Sequence, residues 1–259
     1  MPQPVITLLR HALDLKAAMA ECLDDPKPKP VHHLRSATRR IEAVLELLTA
    51  TADLPQAPKR TKQLRQAIRK IRRAAGTVRD LDVHRDILAH YKAVNDATQL
   101  DKDLAPKRER AATKLQQRIL DDQHEIRRAL ERLETTLAPA ADLNLSGAAL
   151  ADNAQSWLAN TIKGLDPHHD DQLHTIRKAC KTARYIAEIG GETSKSAARV
   201  AKRLNEIQQT TGDWHDYLLL LDRANRHLPA NSLLIEKIHR KTGKLRLQAE
   251  SKANRLATA

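Results

Sequence analysis

Apolar residues recur along this chain at i, i+3, i+4 and i+7. Leu34, Ala37, Ile41, Val44 and Leu48 form one such series, and Leu64, Ile68 and Ile71 another. That spacing gathers side chains on one face of a helix, and no segment alternates as a half-buried strand does. Proline and glycine punctuate the pattern. The run Pro26-Lys27-Pro28-Lys29-Pro30 separates an N-terminal helix at about 3–23 from the rest. Pro55 and Pro58 mark the next break. Gly76 follows a helical run, Pro106 opens a long one and Pro139 closes it. Gly164 with Pro167, Gly190-Gly191, Gly212 and Pro229 punctuate the second half. The reading predicts an all-α protein of about ten helices in antiparallel succession.

The pattern repeats. Val31-His32-His33-Leu34-Arg35-Ser36-Ala37-Thr38-Arg39 aligns with Leu173-His174-Thr175-Ile176-Arg177-Lys178-Ala179-Cys180-Lys181 at an offset of 142 (174 − 32). Leu64, Ile68, Ile71 and Gly76 align with Val200, Leu204, Ile207 and Gly212 at an offset of 136 (212 − 76). Asp80 and Asp216 follow the two glycines at the same distance. These matches predict an internal duplication within a single domain spanning 1–259. Repeat one covers about 30–138 and repeat two about 146–258, each of about four helices, related by a pseudo-two-fold axis that brings equivalent faces together.

Composition narrows the picture. The 259 residues include 41% hydrophobic residues, enough for a core, and only 7 Gly with no Phe. The charge is +13, from 45 Lys+Arg against 32 Asp+Glu, which predicts an anionic partner. Cys22 and Cys180 form no metal or redox motif and read as reduced thiols of a cytoplasmic protein. No apolar run reaches the ~18 residues of a membrane span, and the N-terminal apolar residues are interrupted by Arg10, His11 and Asp14, unlike a signal peptide.

Much of the cationic charge lies in rows. His32, Arg35 and Arg39 share one helix face with Arg40 beside it. His174, Arg177, Lys181 and Arg184 share another. Lys62, Arg65, Arg69 and Arg72 form a third row with no acid among them, flanked by Arg73. Its counterpart carries Lys195, Arg199, Lys202 and Arg203. Like charges at i+3 and i+4 repel, and helices usually offset this with Glu. Few such partners are present apart from Glu42, Glu46 and Glu188, so an anion is expected to complete the rows. Arginine offers a planar fork to phosphate oxygens and lysine a mobile point charge. The bland alternative is a solvated surface, which suits 107–118 and 237–255, where acids interleave.

Other chemistry is weaker. His168-His169-Asp170-Asp171 lies at a loop and helix start, where Asp serves as a cap, so no metal site is expected. Asp80 and Asp82 are expected in the first turn of a helix, or orienting cations of neighbouring helices. Nothing resembles a phosphate loop, a nucleophile elbow or a zinc protease motif, so no catalytic residues and no cofactor are expected.

Residues 31–40, Val78-Arg79-Asp80-Leu81-Asp82-Val83, His174 through Lys181, Arg184 and Tyr185, and Leu204 to Asp216 together resemble the CHAD family, the conserved-histidine α-helical domain. The resemblance covers about 5–258. It implies two four-helix bundles facing across a basic central cavity that binds inorganic polyphosphate, and association with polyphosphate granules. It carries a binding role onto His32, Arg35, Arg39, Arg40, Arg69, Arg72, His174, Arg177, Lys181 and Arg184. Glu42 and Asn205 depart from the pattern, standing where cations are usual. No two Glu lie two apart, so the E-x-E-x-K motif of triphosphate tunnel domains is absent. The alternatives are a nucleic-acid backbone binder, disfavoured for single strands by 2% aromatics, and a polyphosphate-processing enzyme.

Overall fold

The computed structural model describes residues 1–51 and 58–257. Among them are eight α-helices, one 3-10 turn and no strand: α1 (Pro4–Asp24), α2 (Pro28–Ala50), α3 (Pro58–Ala89), α4 (Asn95–Leu137), α5 (Gly147–Ile162), α6 (Asp170–Gly191), α7 (Lys195–His227) and α8 (Leu233–Ala257), with the 3-10 turn at Ala138–Ala140. The all-α expectation holds, and α1 falls where the N-terminal helix was read.

Helix starts follow their chemistry. Proline stands at the opening of α1 and α2, where its missing N–H costs nothing. Serines precede α5, α7 and α8. Ser146 Oγ accepts from the Ala149 amide at 3.0 Å, Ser194 Oγ from Ala197 at 3.5 Å and Ser232 Oγ from Ile235 at 3.4 Å. Gly164, at φ +75°, turns the chain after α5 in a conformation other residues adopt only with strain. Pro55 lies outside the described residues, and Pro58 begins α3.

Three expected breaks are absent, which is why there are fewer helices than the punctuation suggests. Pro106 lies inside α4. It is exposed, so water can satisfy the carbonyl that loses its N–H partner. Gly76 and Gly212 lie inside α3 and α7. Asp80 and Asp82 therefore occupy the middle of α3 and not a first turn, and the dipole argument made for them does not apply.

The chain divides into two compact units. Unit one is Met1–Arg79, Ala111–Trp157 and Thr182–Lys202. Unit two is Asp80–Arg110, Leu158–Lys181 and Arg203–Ala259. Each unit draws segments from both halves of the sequence, so the units are not the two sequence repeats. In unit one α1 packs on α2, and Leu8, Leu15, Leu34, Ile41, Leu64 and Ile68 are fully buried. Gly147, at the start of α5, sits so close to the α6–α7 turn that an added Cβ would lie 2.1 Å from Ser194 Cβ. In unit two Leu100, Leu173, Trp214, Leu220 and Ile238 are buried.

Candidate anion-binding site

In unit one, α2 presents His32 and Arg40 exposed and Arg35 and Arg39 half-buried. His32 Nε2 lies 3.4 Å from Ser36 Oγ. The Arg35 guanidinium lies over Gly76, where a Cβ would come within 2.7 Å of Nη1. That close approach explains a glycine in mid-helix better than a helix end does.

Beside this face, α2, α3 and the end of α4 enclose a cleft of about 580 Å³. Lys62, Arg65, Arg69 and Arg72 from α3 line one wall. Leu45, Leu48, Leu133 and Leu137 are among its apolar residues. The row read as free of acid is not so in space. Glu46 of α2 pairs with Arg65 at 2.8 Å, and Glu42 with Arg72. Periodicity within α3 could not show this, because both acids come from another helix. Glu42, which departs from the family pattern, thus neutralises one of the row's own arginines. Lys62 and Arg69 are exposed and make no ion pair among the described residues. Arg73 is exposed and does not line the cleft.

Elsewhere in unit one, Arg184 pairs with Glu188 at 3.0 Å, and its guanidinium lies 4.3 Å from the Tyr185 ring centre. Arg40 approaches the same ring at 5.7 Å. A buried aromatic thus brings Arg40 and Arg184 together, each over its π face. Lys195, Arg199 and Lys202 are exposed and outside the cleft, with Arg199 Nε turned onto the Lys195 carbonyl at 3.3 Å.

Unit two holds a different arrangement. The His174 and His215 rings stand 4.3 Å apart. Arg177 reaches Gly212, with Nε and Nη2 3.7 and 3.8 Å from where a Cβ would stand. Arginine over glycine therefore occurs in both units, at the positions the sequence offsets relate. Burial lowers the Arg177 pKa, opposed by the carboxylates of Asp216, Asp80 and Asp213. Burial and then Arg177, His174, Lys178 and His84 push His215 down to about 3. His84, 2% exposed, is pushed down to about 4 by burial and then Arg223, against a hydrogen bond to the Asp216 backbone. Both imidazoles are neutral at physiological pH. Asp82 accepts from Arg108 Nε at 2.9 Å, the carboxylate–cation role considered for it. Lys181 is half-buried, and Arg203 donates to the Arg255 carbonyl at 3.0 Å on the surface.

His84, His215, Asp213 and Arg223 were not singled out in the sequence. One signal was available: Asp80 and His84 are four apart and so share a face of α3. Among the described residues no group of three or more His, Cys, Asp or Glu is placed to hold a metal ion, and no helix is long and apolar enough to cross a membrane.

Fold and site define an all-α protein whose helices carry cation rows, with arginines laid over mid-helix glycines. The chain belongs to the CHAD family: the CHAD domain model matches residues 7–225. It is similar in fold to the crystal structure of the CHAD domain from the plant Ricinus communis, with a TM-score of 0.69 at 19% identity over 96% of this chain and 90% of that one. It is also similar to PptA from Streptomyces chartreusis, with a TM-score of 0.65 at 16% identity over 100% of this chain and 97% of that one. No curated protein matches it in sequence.

Proposed function

We propose that this protein binds inorganic polyphosphate through its basic helix faces, as a cytoplasmic binding module associated with polyphosphate granules and not as an enzyme. The observation that carries the reading is the unit-one cleft. Four cations of α3 line one wall, and two of them, Lys62 and Arg69, make no ion pair among the described residues. A chain of phosphates supplies closely spaced negative charge without base edges to be read, and aromatic platforms for bases are scarce. Membership of the CHAD family supports the same reading.

Competition titration tests it. Long-chain polyphosphate is expected to displace labelled double-stranded DNA or RNA at equal phosphate concentration, and Arg69→Ala to weaken polyphosphate binding. Displacement of polyphosphate by either nucleic acid would favour a backbone-binding role instead. Incubation with polyphosphate and Mg²⁺ is expected to release no phosphate. Release that disappears in Asp80→Ala and Asp82→Ala would make the protein an enzyme.

A further inference from the structure

The outer face of α1 carries an apolar stripe. Ile6 is 45% exposed and Leu13 67%, Leu9 is half-exposed, and Ala17 and Ala20 are exposed. At 100° per residue all five fall within about 40° of Leu13. Leu120 on α4 and Leu247 on α8 stand singly and need no explanation. Five in register along four turns are a surface. Its charge also differs from that of the molecule. Within Pro4–Asp24 two cations, Arg10 and Lys16, face three acids, Asp14, Glu21 and Asp24, in a chain of net +13. A polyanion has little reason to bind there, and a second copy of this basic chain meets less repulsion there than at the cation rows.

The geometry points to α1 as the contact of an antiparallel homodimer, two copies of this chain related by a two-fold axis at Leu13. In such a pair residue i opposes residue 26 − i, and each contact occurs twice. Leu13 meets Leu13, Leu9 meets Ala17 and Ile6 meets Ala20, a large residue against a small one at every level away from the axis. Arg10 and Asp14 are both exposed and lie on the same flank. In an antiparallel pair like flanks adjoin, so Arg10 of each copy comes opposite Asp14 of the other, offset by about 3 Å along the axis. Asp14, now 3.1 Å from His11 Nδ1, keeps its second oxygen for that contact. Lys16 lies on the other flank, about 9 Å along the axis from its own mate, so like charges stay apart. A parallel pair would instead set Ile6 against Ile6 and Ala20 against Ala20, and would put Arg10 of one copy and Asp14 of the other on opposite flanks, losing that pairing.

One helix from each copy is a small interface, so association is expected at the weak end of specific contacts. The decisive variant is Leu13→Cys. Its thiol would stand at the axis, and both native cysteines are buried, which leaves the background low. Under mild oxidation Leu13→Cys is expected to give a disulfide-linked dimer. Ala20→Cys is not, because its mate lies about 21 Å away along the axis, but Ala20→Cys mixed with Ile6→Cys is. Sedimentation velocity from micromolar to millimolar protein is expected to show a monomer–dimer equilibrium. Leu13→Glu, a change at an exposed position, should shift its midpoint at least tenfold toward monomer with an unchanged circular dichroism spectrum. A wild-type protein monomeric throughout, or Ala20→Cys cross-linking as readily as Leu13→Cys, would overturn the proposal.

Discussion

Gly76 and Gly212 show what a single residue does here. Each leaves room in mid-helix for an arginine from a neighbouring helix, but the spaces differ. A Cβ at position 76 would meet Arg35 Nη1 at 2.7 Å, whereas at position 212 the nearest guanidinium atom is 3.7 Å away. Alanine is favoured over glycine in helices by ~1 kcal/mol. Gly212→Ala is therefore expected to stabilise the protein by about 0.5–1 kcal/mol without moving Arg177. Gly76→Ala must push the Arg35 guanidinium aside, so it is expected to gain less in stability and to weaken anion binding. Urea unfolding and polyphosphate titration of the two variants check this.

Buried His84 and half-buried His215 make a second prediction at this scale. His84 and His215 are held near 4 and 3 in the folded state, against ~6.5 unfolded. Below pH ~6.5 the unfolded chain binds protons that the folded chain refuses, so stability falls as pH drops from about 6.5 toward 4. The loss at His84 should be on the order of 2–3 kcal/mol. His84→Gln removes that titration. Its urea midpoint is expected to fall less between pH 7 and pH 5 than that of the wild type.

At the scale of elements, the relation of α2 to α3 governs the cleft. Glu42 and Glu46, one turn apart on α2, hold Arg72 and Arg65 on α3. An anion entering the cleft must displace these carboxylates and is repelled by them until it does. Partly exposed pairs of this kind are worth up to ~1 kcal/mol each. Glu42→Gln with Glu46→Gln is accordingly expected to tighten polyphosphate binding roughly tenfold at low salt, read by titration calorimetry. Unchanged affinity would mean that Arg65 and Arg72 take no part. The close approach of α5 to the α6–α7 turn is a packing constraint of another kind. Gly147→Ala is expected to destabilise the protein by about 1–3 kcal/mol in urea unfolding, because Ser194 is carried by backbone that must move.

For the whole molecule the measurable quantity is the salt dependence of polyanion binding. Removing a cation that neutralises one phosphate should reduce the slope of log affinity against log salt by roughly one. Arg35→Ala combined with Arg177→Ala is expected to weaken binding and flatten the slope. Single variants report each unit by itself, and the greater share is expected from Arg35 in unit one. An unaltered slope would leave both arginine–glycine pairs as structural.

The sequence alone determined that the chain is helical, that a separate N-terminal helix precedes the Pro26–Pro30 run, and where the cations lie along each helix. Those properties are local: a period of 3.6 and a charge at i+3 or i+4 can be counted without knowing what packs alongside. It also set the two arginine–glycine correspondences, visible as constant offsets, though the glycines were read there as helix ends. Tertiary structure decided what each residue does. It carried α3 and α7 through Gly76 and Gly212, because the guanidinium laid over each comes from another helix. It placed Asp80 within the influence of Arg177, and buried His84 and half-buried His215 among cations that keep them neutral. It also set Glu42 and Glu46 against the α3 row, so that two of its four cations are paired and two make no ion pair among the described residues. Every one of these outcomes depends on contact between helices, which periodicity along one helix does not encode.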